Sequence, residues 1–152
     1  MKNSKLAVAL TALGMIVFGG VNQVFASGVG YLDYQKVYES YPLAQQAIKE
    51  IDAKGLEIQQ FMVDKEKQYK ALDTPLKKQN FEEATAKEFA AKQDAYIQLK
   101  NQKDELIFNN IENAAKRVMV EQGLDTILID KAIFVGGVDV TDKVISKLKS
   151  GN

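Results

Sequence analysis

About eighty consecutive residues, Pro42–Gln122, are charged, helix-forming and patterned, and one internal proline, Pro75, interrupts them. Strand-like pieces lie on either side, at Gly28–Asp33 and Leu124–Gly137. The pattern predicts an α+β chain: a small β-rich body made by the two ends, with a long α-helical coiled-coil hairpin protruding from it. Such a chain builds reach and surface rather than an enclosed catalytic pocket. The expected organisation is a leader at 1–26, a split β association domain at 27–41 and 123–152, and a hairpin at 42–122.

The outgoing arm carries apolar or small residues at Ala44, Ile48, Ile51, Gly55, Ile58, Met62, Tyr69 and Leu72, with Lys65 in the register between. Steps of three and four put these on one helix face, the seam of a coiled coil. Pro42 suits a first helical turn, where its missing N–H is not needed. Asp73-Thr74-Pro75 ends the run, because the residue before a proline is biased away from helix. Asn80 with Glu83 resembles a capping box that restarts the helix, and Thr74-Pro75 is an alternative start. The tip is therefore expected within 73–80, and Gly123 is a suitable terminator for the return.

The returning arm is patterned differently. Tyr96, Ile107 and Val118 lie eleven apart, with Leu99, Leu106, Ile111 and Ala114 beside them, and Lys92, Lys103 and Asn110 interrupt the row. An eleven-residue period is close to the pitch of a straight helix, so little supercoil is expected. Gly55 costs about 1 kcal/mol relative to alanine inside a helix. It is the candidate hinge of an imperfectly zipped hairpin. Five apolar residues are expected off the seams: Leu56 and Val63 on one outer row, Phe61 beside the seam, and Ile97 and Phe108 off the return stripe. They are read either as packing against another helix or subunit, or as dispersed contacts for unfolded polypeptide. Apolar points scattered among charges would bind an extended chain weakly at many places.

Lys2 and Lys5 precede the apolar stretch Leu6–Phe18, and Val24-Phe25-Ala26 follows. That is the pattern of a secretory signal peptide cleaved after Ala26, which implies export. Gly14, Gly19, Gly20, Asn22 and Gln23 make the same stretch a poor membrane anchor. Cysteine is absent, which removes disulfides and thiolate chemistry together. A small exported body without disulfides calls for another source of stability, and subunit association supplies it. The precursor is balanced at twenty charges of each sign, so loss of Lys2 and Lys5 leaves −2 and no electrostatic case for nucleic acid.

At the ends, Val29-Gly30-Tyr31-Leu32-Asp33 reads as a strand whose Asp33 caps a helical turn over Tyr34–Tyr38. Thr126–Asp130 and Ala132–Val135 read as a β-hairpin about Asp130-Lys131. Thr141 is the expected cap of a last helix with Val144, Ile145 and Leu148 on one side. A hairpin plus one strand buries little alone.

With these features in order, the chain resembles the OmpH/Skp family of periplasmic chaperones. The residues that carry the resemblance are Gly28–Tyr38 at one end and, at the other, Ala115–Val118, Gly123–Asp125, Ile127–Lys131 and Asp139–Ile145. The resemblance implies a homotrimer in which the ends of three chains form a β-body and three hairpins project from it. It implies an ATP-independent holdase, without cofactor, that keeps unfolded outer-membrane β-barrel proteins from aggregating in transit to the outer membrane. Members of the family often have basic arms. Here Pro42–Gln122 carries thirteen basic and fourteen acidic residues, which puts membrane and lipopolysaccharide contact in doubt and shifts client capture onto the apolar sites.

An enzyme is not expected. The chain has no His, Cys or Trp, its sole arginine is Arg117, and no Gly-rich loop joins a strand to a helix. Glu82-Glu83 and Asp104-Glu105 read as solvated charge on helices rather than as catalytic or metal-binding pairs. The competing function is structural: a periplasmic coiled-coil spacer or adaptor, which would want a continuous seam and a stable partner.

Overall fold

The computed structural model describes residues 28–151. The leader and its cleavage after Ala26 lie outside them. Element order is β1 (Gly28–Leu32), α1 (Tyr34–Ser40), α2 (Pro42–Lys70), α3 (Pro75–Glu121), β2 (Leu124–Ile129), β3 (Val138–Asp139) and α4 (Thr141–Ser150). The fold is α+β, dominated by the antiparallel pair α2 and α3 of 29 and 47 residues, about 44 and 70 Å long at ~1.5 Å per residue. Among the described residues no helix is long and apolar enough to cross a membrane.

The sheet has three strands in the order β2-β1-β3, and both pairings are parallel. The central strand is therefore the N-terminal one, and the C-terminal segment supplies both neighbours. Gly28 and Gly30 are dictated by close approach. A Cβ on either would come 2.8 or 2.7 Å from the Leu124 side chain, which lies across β1. Asp33 ends β1 and caps α1, its Oδ1 accepting from the Lys36 N–H at 2.9 Å, as its position before Tyr34 predicts. Tyr41 is extended (φ −88°, ψ 116°) because Pro42 follows it, and Pro42 opens α2.

Three expectations are corrected at the ends and tip. No β-hairpin forms about Asp130-Lys131. Asp130–Ala132 is a 3-10 turn, and the chain leaves β2 to pair instead with β1. A two-residue hairpin needs left-handed backbone at its centre, which Asp-Lys does not favour. The left-handed residues come later, at Gly136 and Gly137 (φ 83° and 91°), and there the chain turns into β3. Thr141 does not cap α4 either. It is the first helical residue, buried, and its Oγ1 accepts the Asp33 N–H at 3.0 Å, while Asp139 Oδ1 accepts the Thr141 N–H at 2.9 Å. At the tip the alternative start is the one used: Thr74 Oγ1 accepts from the Lys77 N–H, Pro75 opens α3, and α3 runs through Asn80 without a break.

The buried core lies wholly at the base. Leu32, Val37, Ala44 and Ala47 meet Ile107, Ile111, Ala114 and Val118 of α3, and Val140, Val144 and Ile145 close it from the C-terminal segment. Alanines at 44 and 47 let α2 approach α3 closely where the hairpin leaves the body. From Ile48 to Leu106 no residue is buried. The arms thus leave the core after one turn of α2 and depend on what lies between them.

Candidate functional site

Both arms of the hairpin share one rule. In α3 the row of residues at least half covered is Lys78, Phe81, Thr85, Phe89, Lys92, Tyr96, Leu99 and Lys103, with Asp104 beside it, leading to buried Ile107. The steps run three, four, four, three, four, three, four and four, so residues eleven apart recur on this face, as in Lys92 with Lys103 and Tyr96 with Ile107. In α2 the same period links Ala47, Ile58 and Tyr69, and Lys54 with Lys65. The seam expected for the outgoing arm holds at every position but Met62, since Ala44, Ile48, Ile51, Gly55, Ile58, Lys65, Tyr69 and Leu72 are all buried or at least half covered. At Met62, which is 45% exposed, the adjacent Phe61 takes the inward place, and the seam resumes at Lys65 and Tyr69.

The lysines that interrupt the apolar rows are contacts. Lys65 Nζ bridges to Glu88 on the other arm at 2.8 Å and lies 5.1 and 5.5 Å from the ring centroids of Phe61 and Phe81. Lys92 lies 5.2 Å from the Phe61 ring, and Lys78 5.3 Å from that of Tyr69. Lys103 Nζ meets Glu50 Oε2 at 2.6 Å. Ammonium groups over aromatic faces contribute about 0.5–1 kcal/mol each at exposed sites, and exposed ion pairs a similar amount. The distal layer is held by many weak terms where the base is held by burial. Lys103 and then Gln46 hydrogen-bond the Glu50 carboxyl and hold it below the usual carboxylate range. The Tyr69 phenol, bonded to Glu82 and partly desolvated, is held above its ordinary value.

Four of the five candidate contact residues are open to solvent: Leu56, Val63, Ile97 and Phe108. Phe61 is half covered beneath Lys65 and Lys92, so it faces the opposite arm rather than flanking the seam. The four do not form one patch. Phe108 belongs to the base, where it lines a groove of about 270 Å³ with Leu32, Tyr34, Ile127, Leu128 and others. Gly55 sits inside an unbroken helix opposite Tyr96, where a Cβ would make an ordinary 3.8 Å contact.

The sequence reading missed a second groove, of about 420 Å³, between the distal halves of the arms. Met62 and Tyr69 of α2 and Phe81, Thr85 and Phe89 of α3 line it. The available signal was the four-residue spacing of Phe81, Thr85 and Phe89, which aligns them on one face. At the base, Val29, Leu128, Ile129, Phe134, Val135 and Val138 are exposed, Phe134 completely. Among the described residues no group of three or more His, Cys, Asp or Glu converges as a metal site.

Comparison with known proteins places these features in a family. One solved structure similar to this chain is an OmpH-like protein of Caulobacter crescentus CB15, described as a candidate outer membrane chaperone. It is 13% identical over 83% of this chain and 86% of that one, with a TM-score of 0.39. No curated protein matches the chain. A family model described as "Outer membrane protein (OmpH-like)" matches residues 28–148, which takes in the hairpin and nearly all of both ends. The chain belongs to the OmpH-like outer membrane protein family.

Proposed function

We propose that the mature chain, freed of its leader after Ala26, is an ATP-independent periplasmic holdase that binds unfolded outer-membrane β-barrel proteins and prevents their aggregation. The observation that carries this reading is the contrast along the hairpin. A buried core ends at the base, and beyond it Leu56, Val63 and Ile97 stand exposed among balanced charges on arms with no buried residue from Ile48 to Leu106. Apolar points so dispersed cannot collapse on one another within the chain. They present an extended client with many weak contacts whose combined strength far exceeds each alone.

The working unit is a homotrimer joined through the split body, residues 27–41 and 123–152, with the hairpin 42–122 as its arm. Support comes from what one chain leaves uncovered. The outer edge of β2 has no strand beside it in this sheet; exposed Leu128, Ile129, Phe134, Val135 and Val138 follow one another along β2, β3 and their connection, and exposed Val29 lies on the central strand β1. An apolar open edge is an invitation to pair with another chain, and a body this small gains from doing so. Leu128, Ile129 and the Phe108 groove fall on this side of the account, which leaves the arm residues for clients.

The test is dilution of a urea-denatured outer-membrane β-barrel protein into buffer with a stoichiometric amount of purified mature protein, followed by light scattering. Suppressed scattering without nucleotide is expected. Unchanged scattering contradicts the holdase reading and favours a structural spacer.

A further inference from the structure

We infer that the groove beside Phe108 at the base takes the Phe134 ring of a second copy of this chain. The inference rests on the trimer reading and names the side chain that each copy gives to its neighbour.

The sequence prepares the donor. From Ala132 to Val138 the chain reads Ala-Ile-Phe-Val-Gly-Gly-Val, with no charged or polar side chain. In the fold this stretch links β2 to β3. A 3-10 turn at Asp130–Ala132 precedes it, and the left-handed Gly136 and Gly137 turn it into β3. Between those two bends Phe134 is completely exposed and Val135 nearly so. Phenylalanine is among the residues that gain most from leaving water, so this ring favours a partner.

The groove matches that ring. Leu32, Tyr34, Phe108, Ile111, Ile127 and Leu128 line most of a space of about 270 Å³, and a cavity of roughly 150 Å³ already accepts benzene. Tyr34 and Phe108 offer the offset or edge-to-face neighbours that aromatic rings prefer. The one charged residue in the lining, Glu112, is paired with Lys116 at 2.9 Å. An uncharged segment thus meets a lining with no unmatched charge.

The same chain does not seat its own ring there. The groove opens on the Leu32 face of the sheet, at the β2 edge. Neighbouring strand residues point to opposite faces, and on the Tyr31 face a Cβ at Gly137 would meet the Tyr31 ring at 3.1 Å and the Val29 carbonyl at 3.3 Å. Three residues reach at most about 11 Å, which keeps Phe134 near the β3 edge. A ring at one edge and its groove at the other make a head-to-tail contact. Repeated by rotation, it closes a ring of subunits in which every copy gives one Phe134 and receives one. An aromatic side chain brings about 150–250 Å², against roughly 800 Å² per partner in a stable interface. Leu128, Ile129, Val135 and Val138, all exposed in the single chain, supply more from the same two edges.

The test uses the full mature protein with Phe134→p-azidophenylalanine, which keeps the ring and forms a covalent link on illumination. The expected result is bands of two and three linked chains on a denaturing gel, with the link mapped by mass spectrometry to Phe108 or Ile111 of the neighbouring copy. Phe134→Ala removes a side chain that is fully exposed in the single chain, so helical circular dichroism should be unchanged. Association measured by sedimentation should weaken about thirtyfold or more per contact, the level of an interface hot spot. Links within one chain, links to an added denatured outer-membrane β-barrel in place of a neighbouring copy, or association unchanged in Phe134→Ala would overturn the contact while the trimer reading stands. An unaltered protein that sediments as a monomer at every concentration removes the trimer reading itself, and this contact with it.

Discussion

The backbone N–H of Asp33 donates to Oγ1 of Thr141 at 3.0 Å, joining the first turn of the chain to the last helix across 108 residues. Asp33 caps α1 with its side chain, and Thr141 is held in turn by Asp139, so one short polar chain sets how the two ends meet. Thr141→Val keeps the shape and removes the acceptor, leaving a partly buried N–H unpaired. The expected loss is about 1–3 kcal/mol in urea unfolding, with Thr141→Ser retaining most of it. If Thr141 acted instead as an ordinary helix cap, valine would lower the helicity of α4 and leave the Asp33 amide protected from exchange.

Two glycines should respond in opposite directions. Gly30→Ala places a methyl 2.7 Å from Leu124 Cδ1 and 3.2 Å from Ile127 Cγ1, and overpacking of this kind costs about 1–3 kcal/mol. Gly55→Ala meets only Tyr96 at 3.8 Å and should raise helix stability by up to about 1 kcal/mol. If Gly55 is the hinge, spin labels on the distal arms should also show a narrower distance distribution in Gly55→Ala. An unchanged distribution would locate the flexing elsewhere.

Acid should loosen the hairpin before it unfolds the base. Lys103 and Gln46 hold the Glu50 carboxyl below its ordinary value, so its pairing is fully present above about pH 4.3 and is lost as pH falls through the lowered value. Amide exchange near Ile51 and Lys103 should rise in that window while Val37 and Val144 stay protected. In Glu50→Gln the rise should be absent or much reduced, with exchange already faster at neutral pH. The same pair should weaken with added salt, since both side chains are partly open to solvent.

Much of this architecture was legible in the sequence, and the reasons differ by element. Pro42, Pro75 and Gly123 act through local backbone geometry, so the ends of the long helices could be read directly. The eleven-residue period was visible in α3 from Tyr96, Ile107 and Val118. In α2 the seam was legible except at Met62, because Met62 and Phe61 are adjacent apolar residues and only the packed arm decides which faces inward. The lysines read as gaps because their partners, Phe61, Phe81 and Glu88, are remote in sequence or on the other arm. The false hairpin at Asp130-Lys131 came from β-branched residues whose neighbour is the N-terminal strand, a pairing across almost the whole chain. The spacing of Phe81, Thr85 and Phe89 marked a shared face, but the groove beside them exists only once two helices are side by side.

The most direct measurement concerns the arms. Leu56→Asp combined with Val63→Asp changes two exposed residues outside the core. The account predicts that aggregation of a denatured outer-membrane β-barrel is no longer suppressed at stoichiometric protein, while sedimentation still shows the trimer. Full protection by the double variant, or loss of the trimer along with protection, would contradict the assignment of these residues to client contact.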